Sequence, residues 1–447
     1  MRHEQRESAV KSIVAVLIFL YVSLLQPLAE AQPPSNEHEL SLDSAIALAL
    51  EQHPVLKASM HLTQAAEYRV DQVNSQYYPQ LFFNTSITRW DWVLPNKKIF
   101  LGNSLNDLYA EFSVQQLLYN GGRTSIQNDL ARNLVDVESI NNQRLQQSIV
   151  FSVARAYLLL LKAERIVAVQ ELTIANLRDH VATADLLYRS GKVSQLDVLK
   201  AQTQMALANE ELVKAKNAVT ARRQELFGAM GVDTMYDFRT VDITEALWQR
   251  EQSRTLREDS LLALLDRHPD IRRAELDVQG REQEVSLAQT DYYPSVFARG
   301  IYNWEDSRVL PGNKNWNIGV GLSLPIFQGG ATQASVEQAK SRTEAARATR
   351  EALRQRLQVA VRTTLTTLDD TRSRVRSATE IVHLAEETER VASLKYRSGK
   401  GTNLDVLDAE TVLTNARINY VQVLTDYAIA TAELNFDLGN AGVPFQE

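Results

Sequence analysis

Side chains able to do chemistry are present in this chain, but their spacing does not assemble a catalytic set. Ser398-Gly399-Lys400-Gly401-Thr402 resembles the tail of a phosphate-binding loop, in which glycines let backbone N–H groups cradle phosphate beside a lysine. Leu394 stands where the first glycine of that loop belongs and Gly401 fills the Ser/Thr place, so the segment reads as a helix turn. There is no Gly-x-Ser-x-Gly elbow, no His-Glu-x-x-His pair and no cysteine, and the 7 histidines are scattered. No enzymatic activity, metal or cofactor is expected. The carboxylates that stand out are Asp405 and Asp408, three positions apart at the start of a helix and therefore on one face of its first turns. If that face were repeated around the axis of a symmetric oligomer, each would become a ring of carboxylates able to bind cations. On an ordinary surface they would only complement the positive end of the helix, an effect of about 0.3 to 1 kcal/mol each.

The wider composition narrows the setting. The chain has 447 residues and a net charge of −7, with no basic face of the kind that neutralises phosphates, so nucleic acid is not an expected partner. Arg2, Arg6 and Lys11 precede an apolar run from Ile13 to Leu25 and the small-x-small sequence Ala29-Glu30-Ala31. This pattern predicts a secretory leader over 1–31, removed to leave Gln32 at the N-terminus. The run is too short for a spanning helix, which needs roughly 18 residues or more. Beyond residue 31 no stretch is long and apolar enough to span, so membrane contact would have to come from a β-barrel or an amphipathic surface.

The elements that position these residues are organised by an internal repeat. His53-Pro54 and Tyr77-Tyr78-Pro79 recur as His268-Pro269 and Tyr292-Tyr293-Pro294. Gly121-Gly122, the run from Tyr188 to Lys192, and Leu196-Asp-Val-Leu199 recur as Gly329-Gly330, Tyr396 to Lys400, and Leu404-Asp-Val-Leu407. The offset shortens between the Tyr-Tyr-Pro and Gly-Gly marks, which places a length change in an exposed loop there. Each half opens with helix, about 40–76 and 256–289, bent at its His-Pro pair because the residue before proline avoids helical dihedrals.

After each Tyr-Tyr-Pro the period becomes two. Trp316, Ile318, Val320, Leu322, Leu324 and Ile326 alternate with Asn317, Gly319, Gly321, Ser323 and Pro325. Leu108, Ala110, Phe112, Val114 and Leu118 alternate likewise against Tyr109, Glu111, Ser113 and Gln115. With the aromatic-rich segments 81–92 and 296–304 this makes a hairpin in each half, in a pattern that fits transmembrane strands. Four strands cannot close a barrel and lipid does not tolerate an open edge, so the chain must oligomerise; two copies would supply 8 strands and three would supply 12.

After each Gly-Gly a helical pattern runs for some 65 residues, 123–188 and 331–396, a rod of roughly 100 Å at 1.5 Å per residue. Such a length implies a coiled coil. Val198, Met205, Leu212, Val219 and Leu226 repeat every seven residues in the returning helix, with Ala201, Ala208 and Ala215 beside them. Val406, Leu413, Tyr420, Tyr427 and Leu434 do the same in the second half, alongside Ala409, Ala416, Val423 and Ala430. A strict seven-residue seam predicts left-handed supercoiling with close approach at the alanines.

These marks together resemble the TolC-like outer-membrane efflux proteins over essentially the whole chain after the leader. They are the tandem halves, the Tyr-Tyr-Pro entries, the Gly-Gly exits, and the tips running from Tyr188 to Asp197 and from Tyr396 to Asp405. The resemblance implies a mainly α fold with a small β part. It implies a trimer in which four strands per chain build a shared 12-stranded transmembrane barrel, continuous with a coiled-coil helical barrel in the periplasm. It further implies an outer-membrane location with lipid around the barrel, a periplasmic adaptor and an inner-membrane transporter as partners, and outward conduction opened at the tip. By the same resemblance Asp405 and Asp408 narrow the periplasmic entrance, while Tyr396 and Asp197 match residues that hydrogen-bond across neighbouring tips. A second family lock, threonine with arginine, falls on Leu196 and Gly401 and is absent. The tips Arg189-Ser190-Gly191-Lys192 and Arg397-Ser398-Gly399-Lys400 would dock the adaptor, although helix capping alone accounts for the arginines and glycines.

The expected organisation is a leader over 1–31 and a first repeat over 32–239, with its hairpin at about 81–119 and its helical pair at about 122–230. A linker over 240–255 leads to a second repeat over 256–447, with its hairpin at about 295–327 and its helical pair at about 331–438. A channel subunit is the expected function. A non-conducting coiled-coil protein of the cell envelope is the alternative, and it would need only one anchor rather than two hairpins.

Overall fold

The computed structural model describes residues 38–101, 103–233, 238–251, 257–306 and 314–440. The leader over 1–31 and the cleavage before Gln32 lie outside the described residues. In chain order the elements are β1 (His38–Leu40), α1 (Leu42–Gln52), α2 (Pro54–Asn74), β2 (Gln80–Arg89), α3 (Lys98–Leu101) and β3 (Asn106–Tyr119). There follow α4 (Arg123–Arg189), α5 (Gln195–Met230), β4 (Phe238–Thr240), α6 (Thr244–Glu251), α7 (Glu258–Leu264) and α8 (Pro269–Gln289). The last four are β5 (Ser295–Asp306), β6 (Lys314–Ser323), α9 (Ala331–Arg397) and α10 (Asn403–Asp437). β1 and β4 pair as a two-stranded sheet; a small unit holds them up to Glu39 and Arg239, and the large unit carries Leu40, Thr240 and all other elements.

Each half begins with a helix restarted at its His-Pro bend. Proline has no N–H to lose at a first helical position, and the preceding histidine caps the new helix. His53 Nδ1 accepts the Val55 N–H at 3.2 Å, and His268 Nδ1 accepts the Asp270 N–H at 3.1 Å. The histidines are therefore structural caps. Each bend also seats a glycine that follows a returning helix in left-handed conformation, Gly231 (φ 69°) on His53 and Gly439 (φ 70°) on His268 and Pro269. A Cβ at those glycines would stand 2.8 Å from His53 Cδ2 or 2.7 Å from Pro269 Cδ, which leaves room for no other residue. Burial and the neighbouring Arg144 charge push the His268 imidazole down to about 4, so it stays neutral under its cap.

The long helices α4 and α9 span 67 residues each and return through α5 and α10. Most of the seven-residue seam is buried as the spacing predicts, Val198, Ala201, Ala208, Ala215 and Leu226 in α5 and Val406, Ala409, Leu413, Ala416, Val423, Tyr427, Ala430 and Leu434 in α10, whereas Met205, Leu212, Val219 and Tyr420 are only half-buried. The segment expected as linker carries α6, whose Trp248 meets Tyr427 edge-on at 5.1 Å between ring centres and joins the core around Leu424 and Val361. No described helix is long and apolar enough to cross a membrane.

The four remaining strands form one antiparallel sheet in the order β2-β3-β5-β6. Two strand ends fall three residues short of expectation. β2 stops at Arg89 rather than Trp92, because the described residues of the connection, 90–101 and 103–105, fold apart from the ladder, and β6 stops at Ser323, two residues before Pro325, which cannot donate to a ladder. The register aligns Phe83, Phe112, Tyr302 and Trp316 in one row and Leu81, Val114, Gly300 and Ile318 in the next. The opposite face aligns Asn84, Glu111, Asn303 and Asn315 in one row and Ser86, Tyr109 and Glu305 in another.

Candidate functional site

The two helical tips are built alike. In the first, the Gly191 N–H donates to the Tyr188 carbonyl at 2.8 Å and the Lys192 N–H to the Leu187 carbonyl at 2.9 Å. In the second, Gly399 and Lys400 donate to Tyr396 and Lys395, both at 2.9 Å. These are Schellman closures, which require the positive φ of Gly191 (72°) and Gly399 (73°). Arg189, Ser190, Gly191 and Lys192 are exposed, as are Arg397, Ser398, Gly399 and Lys400. Arg189 pairs with Asp185 at 2.8 Å on an open surface, and Ser190 and Ser398 turn back to the Leu187 and Lys395 carbonyls at 2.8 and 2.9 Å.

Each returning helix then opens with a capping aspartate. Asp197 accepts the Ser194 N–H at 3.2 Å and hydroxyl at 3.1 Å, and Asp405 accepts the Thr402 N–H at 2.9 Å and hydroxyl at 2.7 Å. The Thr402 backbone N–H, followed by its hydroxyl, holds the Asp405 carboxyl below its ordinary range. Asp408 lies one turn further on, also exposed. The structure thus keeps Asp405 and Asp408 together, with Asp405 committed to a cap while its outer side remains open.

Tyr396 is placed differently from the carboxylates. It is 3% exposed, packs on Leu187 and Val406, and lies 5.0 Å from the His180 ring. Its hydroxyl is enclosed without a hydrogen-bond partner among the described residues, so no bond to Asp197 forms within one subunit. Burial, and after it the Asp197 charge, pushes its pKa up. Gly401, where the family lock would place an arginine, lies under the end of α9. A Cβ there would stand 3.0 Å from Lys395 Cβ and 3.2 Å from the Tyr396 nitrogen, so a larger residue would have to displace that turn.

A polar seam with no counterpart among the sequence expectations joins the two halves just behind the tips. Thr173 meets Thr414 at 2.8 Å, Asn176 donates to Glu410 at 3.2 Å, and His180 Nε2 pairs with Asn403 Oδ1 at 2.7 Å. Asn403 in turn donates to the Asp197 carbonyl at 3.2 Å. Burial lowers the His180 pKa and raises that of Glu410. A cavity of about 340 Å³ opens between Asn176, His180, Tyr396 and Glu410. The signal that could have exposed the seam is spacing: Thr173 and His180, like Asn403 and Glu410, stand seven apart.

The sheet is the other functional surface. Trp316, Ile318, Val320 and Leu322 are 68%, 78%, 70% and 68% exposed, while on the opposite face Asp107, Glu111 and Ser113 are buried. Glu111 there accepts from Tyr109 and pairs with Arg299 at 3.3 Å. A sheet with its apolar side bare and its charges enclosed is the reverse of one that packs in water.

The sequence profile described as outer membrane efflux protein matches residues 45–232 and 261–440. The chain belongs to the outer membrane efflux protein family. Among its relatives, nodulation protein T of Rhizobium leguminosarum bv. trifolii is 25% identical over 61% of this chain and 60% of that protein. The chain thus spans less than two thirds of that relative's length. Outer membrane efflux protein BepC of Brucella suis biovar 1 is 21% identical over 95% of this chain and 90% of that protein. Among solved structures, the outer membrane protein VceC from Vibrio cholerae superposes with a TM-score of 0.73 at 20% identity, covering 89% of this chain and 96% of that one. The fold is therefore the TolC-like one of this family, mainly helical with a small sheet.

Proposed function

We propose that the chain is one subunit of an outer-membrane efflux channel, a homotrimer whose shared 12-stranded barrel continues into a periplasmic helical conduit. The inverted sheet carries this reading. Its apolar face suits lipid and its polar face suits a water-filled lumen. β2 and β6 are left with free edges, and lipid requires such edges to be paired, which a ring of identical copies achieves. Efflux in this role is conduction and needs no catalysis.

The organisation expected from the sequence belongs to the same proposal: a leader over 1–31, repeats over 32–239 and 256–447, and the connecting segment 240–255. Asp405 and Asp408 form carboxylate rings at the periplasmic entrance. Tyr396 and Asp197 help hold the entrance shut. The exposed tips, 189–192 and 397–400, receive a periplasmic adaptor that links the channel to an inner-membrane transporter.

Purified protein in a planar bilayer tests the central part. Conducting trimers by mass in detergent are expected, with larger currents when the tip is loosened. A stable monomer or dimer would contradict the strand arithmetic, and a folded trimer that never conducts would favour a structural envelope protein.

A further inference from the structure

The two hairpins differ in one respect. Sixteen residues, 90–105, join β2 to β3, whereas seven, 307–313, join β5 to β6. The longer connection lies at the end of the sheet remote from α2 and α4, which enter and leave the same hairpin. On the channel reading this is the outer mouth. The connection's described residues, 90–101 and 103–105, are folded rather than trailing. The Trp90 N–H donates to the Leu105 carbonyl at 2.7 Å to close its base, Pro95–Lys97 and Lys98–Leu101 form consecutive helical turns, and Val93 and Leu101 are buried at 8% and 3% exposure.

Its fastening is ionic and lies on the polar face. Lys97 Nζ stands 2.6 Å from Asp107 Oδ2 and 2.7 Å from Glu305 Oε1. Trp90 Nε1 donates to the same Asp107 oxygen at 3.3 Å, and the Lys97 ammonium lies 5.4 Å from the centre of the Trp90 ring. Asp107 shares its alternation with Tyr109, Glu111 and Ser113, and Glu305 stands opposite Tyr109 in the register, so both carboxylates point to the lumenal side. One ammonium between two largely enclosed carboxylates ties β3 and β5 to the connection. Without it the like charges repel and regain water only if the connection lifts.

We propose that residues 90–105 are a strap fastened across the lumenal face by Lys97, and that it limits the size of solute able to pass the outer mouth. The proposal rests on the channel reading above. Its test uses a chain that contains no native cysteine. Gln115 lies on the lumenal face, eight residues along β3 from Asp107 and so about 26 Å further along the strand at 3.3 Å per residue. Full-length trimers carrying Gln115→Cys in intact outer membrane are treated from outside with a small charged maleimide and with a polymer-bearing one.

Lys97→Ala should raise the labelling rate of the polymer reagent by about threefold or more and leave the small reagent unchanged, while Lys97→Arg should label like the parent. Asp107→Asn combined with Glu305→Gln should act like Lys97→Ala, which covers the case in which the alanine variant fails to assemble. Equal polymer rates with and without the fastening overturn the strap, as does absence of labelling by the small reagent. Single-channel recording of the parent separates the two readings. A conducting parent with unchanged labelling loses only the strap, whereas a non-conducting trimer loses the channel itself.

Discussion

The helical body and the sheet of this chain sort the same residue types in opposite directions. In the body, Tyr427, Leu424 and Val361 are at most 1% exposed, while ion pairs such as Lys214 with Glu210 and Arg390 with Glu387 lie on the outside, beside exposed apolar side chains such as Met60, Leu186 and Leu384. In the sheet, Ile318 and Val320 are 78% and 70% exposed while Asp107 and Glu111 are 3% and 7% exposed. Apolar area leaves water wherever it can, so one chain can hold both arrangements only if different media surround its two parts. Water fits the outside of the helices, and hydrocarbon fits the outside of the strands.

The largest expected effect breaks that contrast from the sheet side. Ile318→Arg places a guanidinium on the lipid face at a cost of about 2 to 4 kcal/mol per copy near the bilayer midplane, repeated in every subunit. Trimers should disappear from the outer-membrane fraction. Leu424→Ala breaks it from the body side by opening a cavity worth about 2 to 5 kcal/mol, which lowers the guanidinium midpoint while membrane insertion persists. Thr402→Ala removes the cap that orders the second tip, for about 0.5 to 2 kcal/mol. Hydrogen exchange should then quicken at the start of α10 and remain unchanged in the sheet.

The polar seam gives a pH dependence with two opposing parts. Folding lowers the His180 pKa, so the native seam binds fewer protons than the unfolded chain there. Its contribution is present above about pH 6.5 and is lost as pH falls from there toward the lowered native value. Glu410, raised by burial, acts in the opposite sense: its ionisation weakens the seam as pH rises above the ordinary carboxylate range. Exchange protection over 173–180 and 403–410 should therefore fall less on acidification in His180→Gln than in the parent, and Glu410→Gln should raise protection at pH 7. The smallest effect belongs to Arg189→Ala and Arg397→Ala, within about 0.5 kcal/mol in stability, with any loss confined to adaptor binding.

The architecture was legible where periodicity is long. The alternation of 316–322 and the sevenfold spacing of 198–226 and 406–434 each report a face directly, because burial repeats with the element. The tip glycines were legible because only glycine takes that turn cheaply. The Tyr396 environment was not, since a tyrosine at a helix end reads equally as exposed or enclosed, and its burial depends on Leu187 and Val406 arriving from other elements. His180 with Asn403, and Lys97 with Asp107 and Glu305, escaped for the same reason. Their meaning lies in pairings far apart in sequence; the seven-residue spacing of Thr173 with His180 and of Asn403 with Glu410 marks polar positions on a seam but not which of them meet. The His-Pro bends were placed correctly as breaks, but their second task, seating Gly231 and Gly439, needed three dimensions.

A cysteine scan along β6 tests the central claim most directly. Single cysteines from 316 to 323 in the otherwise cysteine-free chain, assembled in membrane, would be offered a charged water-soluble maleimide and, as bimane adducts, a lipid-dissolved quencher. The account predicts a period of two: 316, 318, 320 and 322 quenched from lipid and unlabelled from water, and 317, 319, 321 and 323 the reverse. Uniform labelling from water along the whole strand would contradict it, because the apolar face would then lie in water rather than lipid.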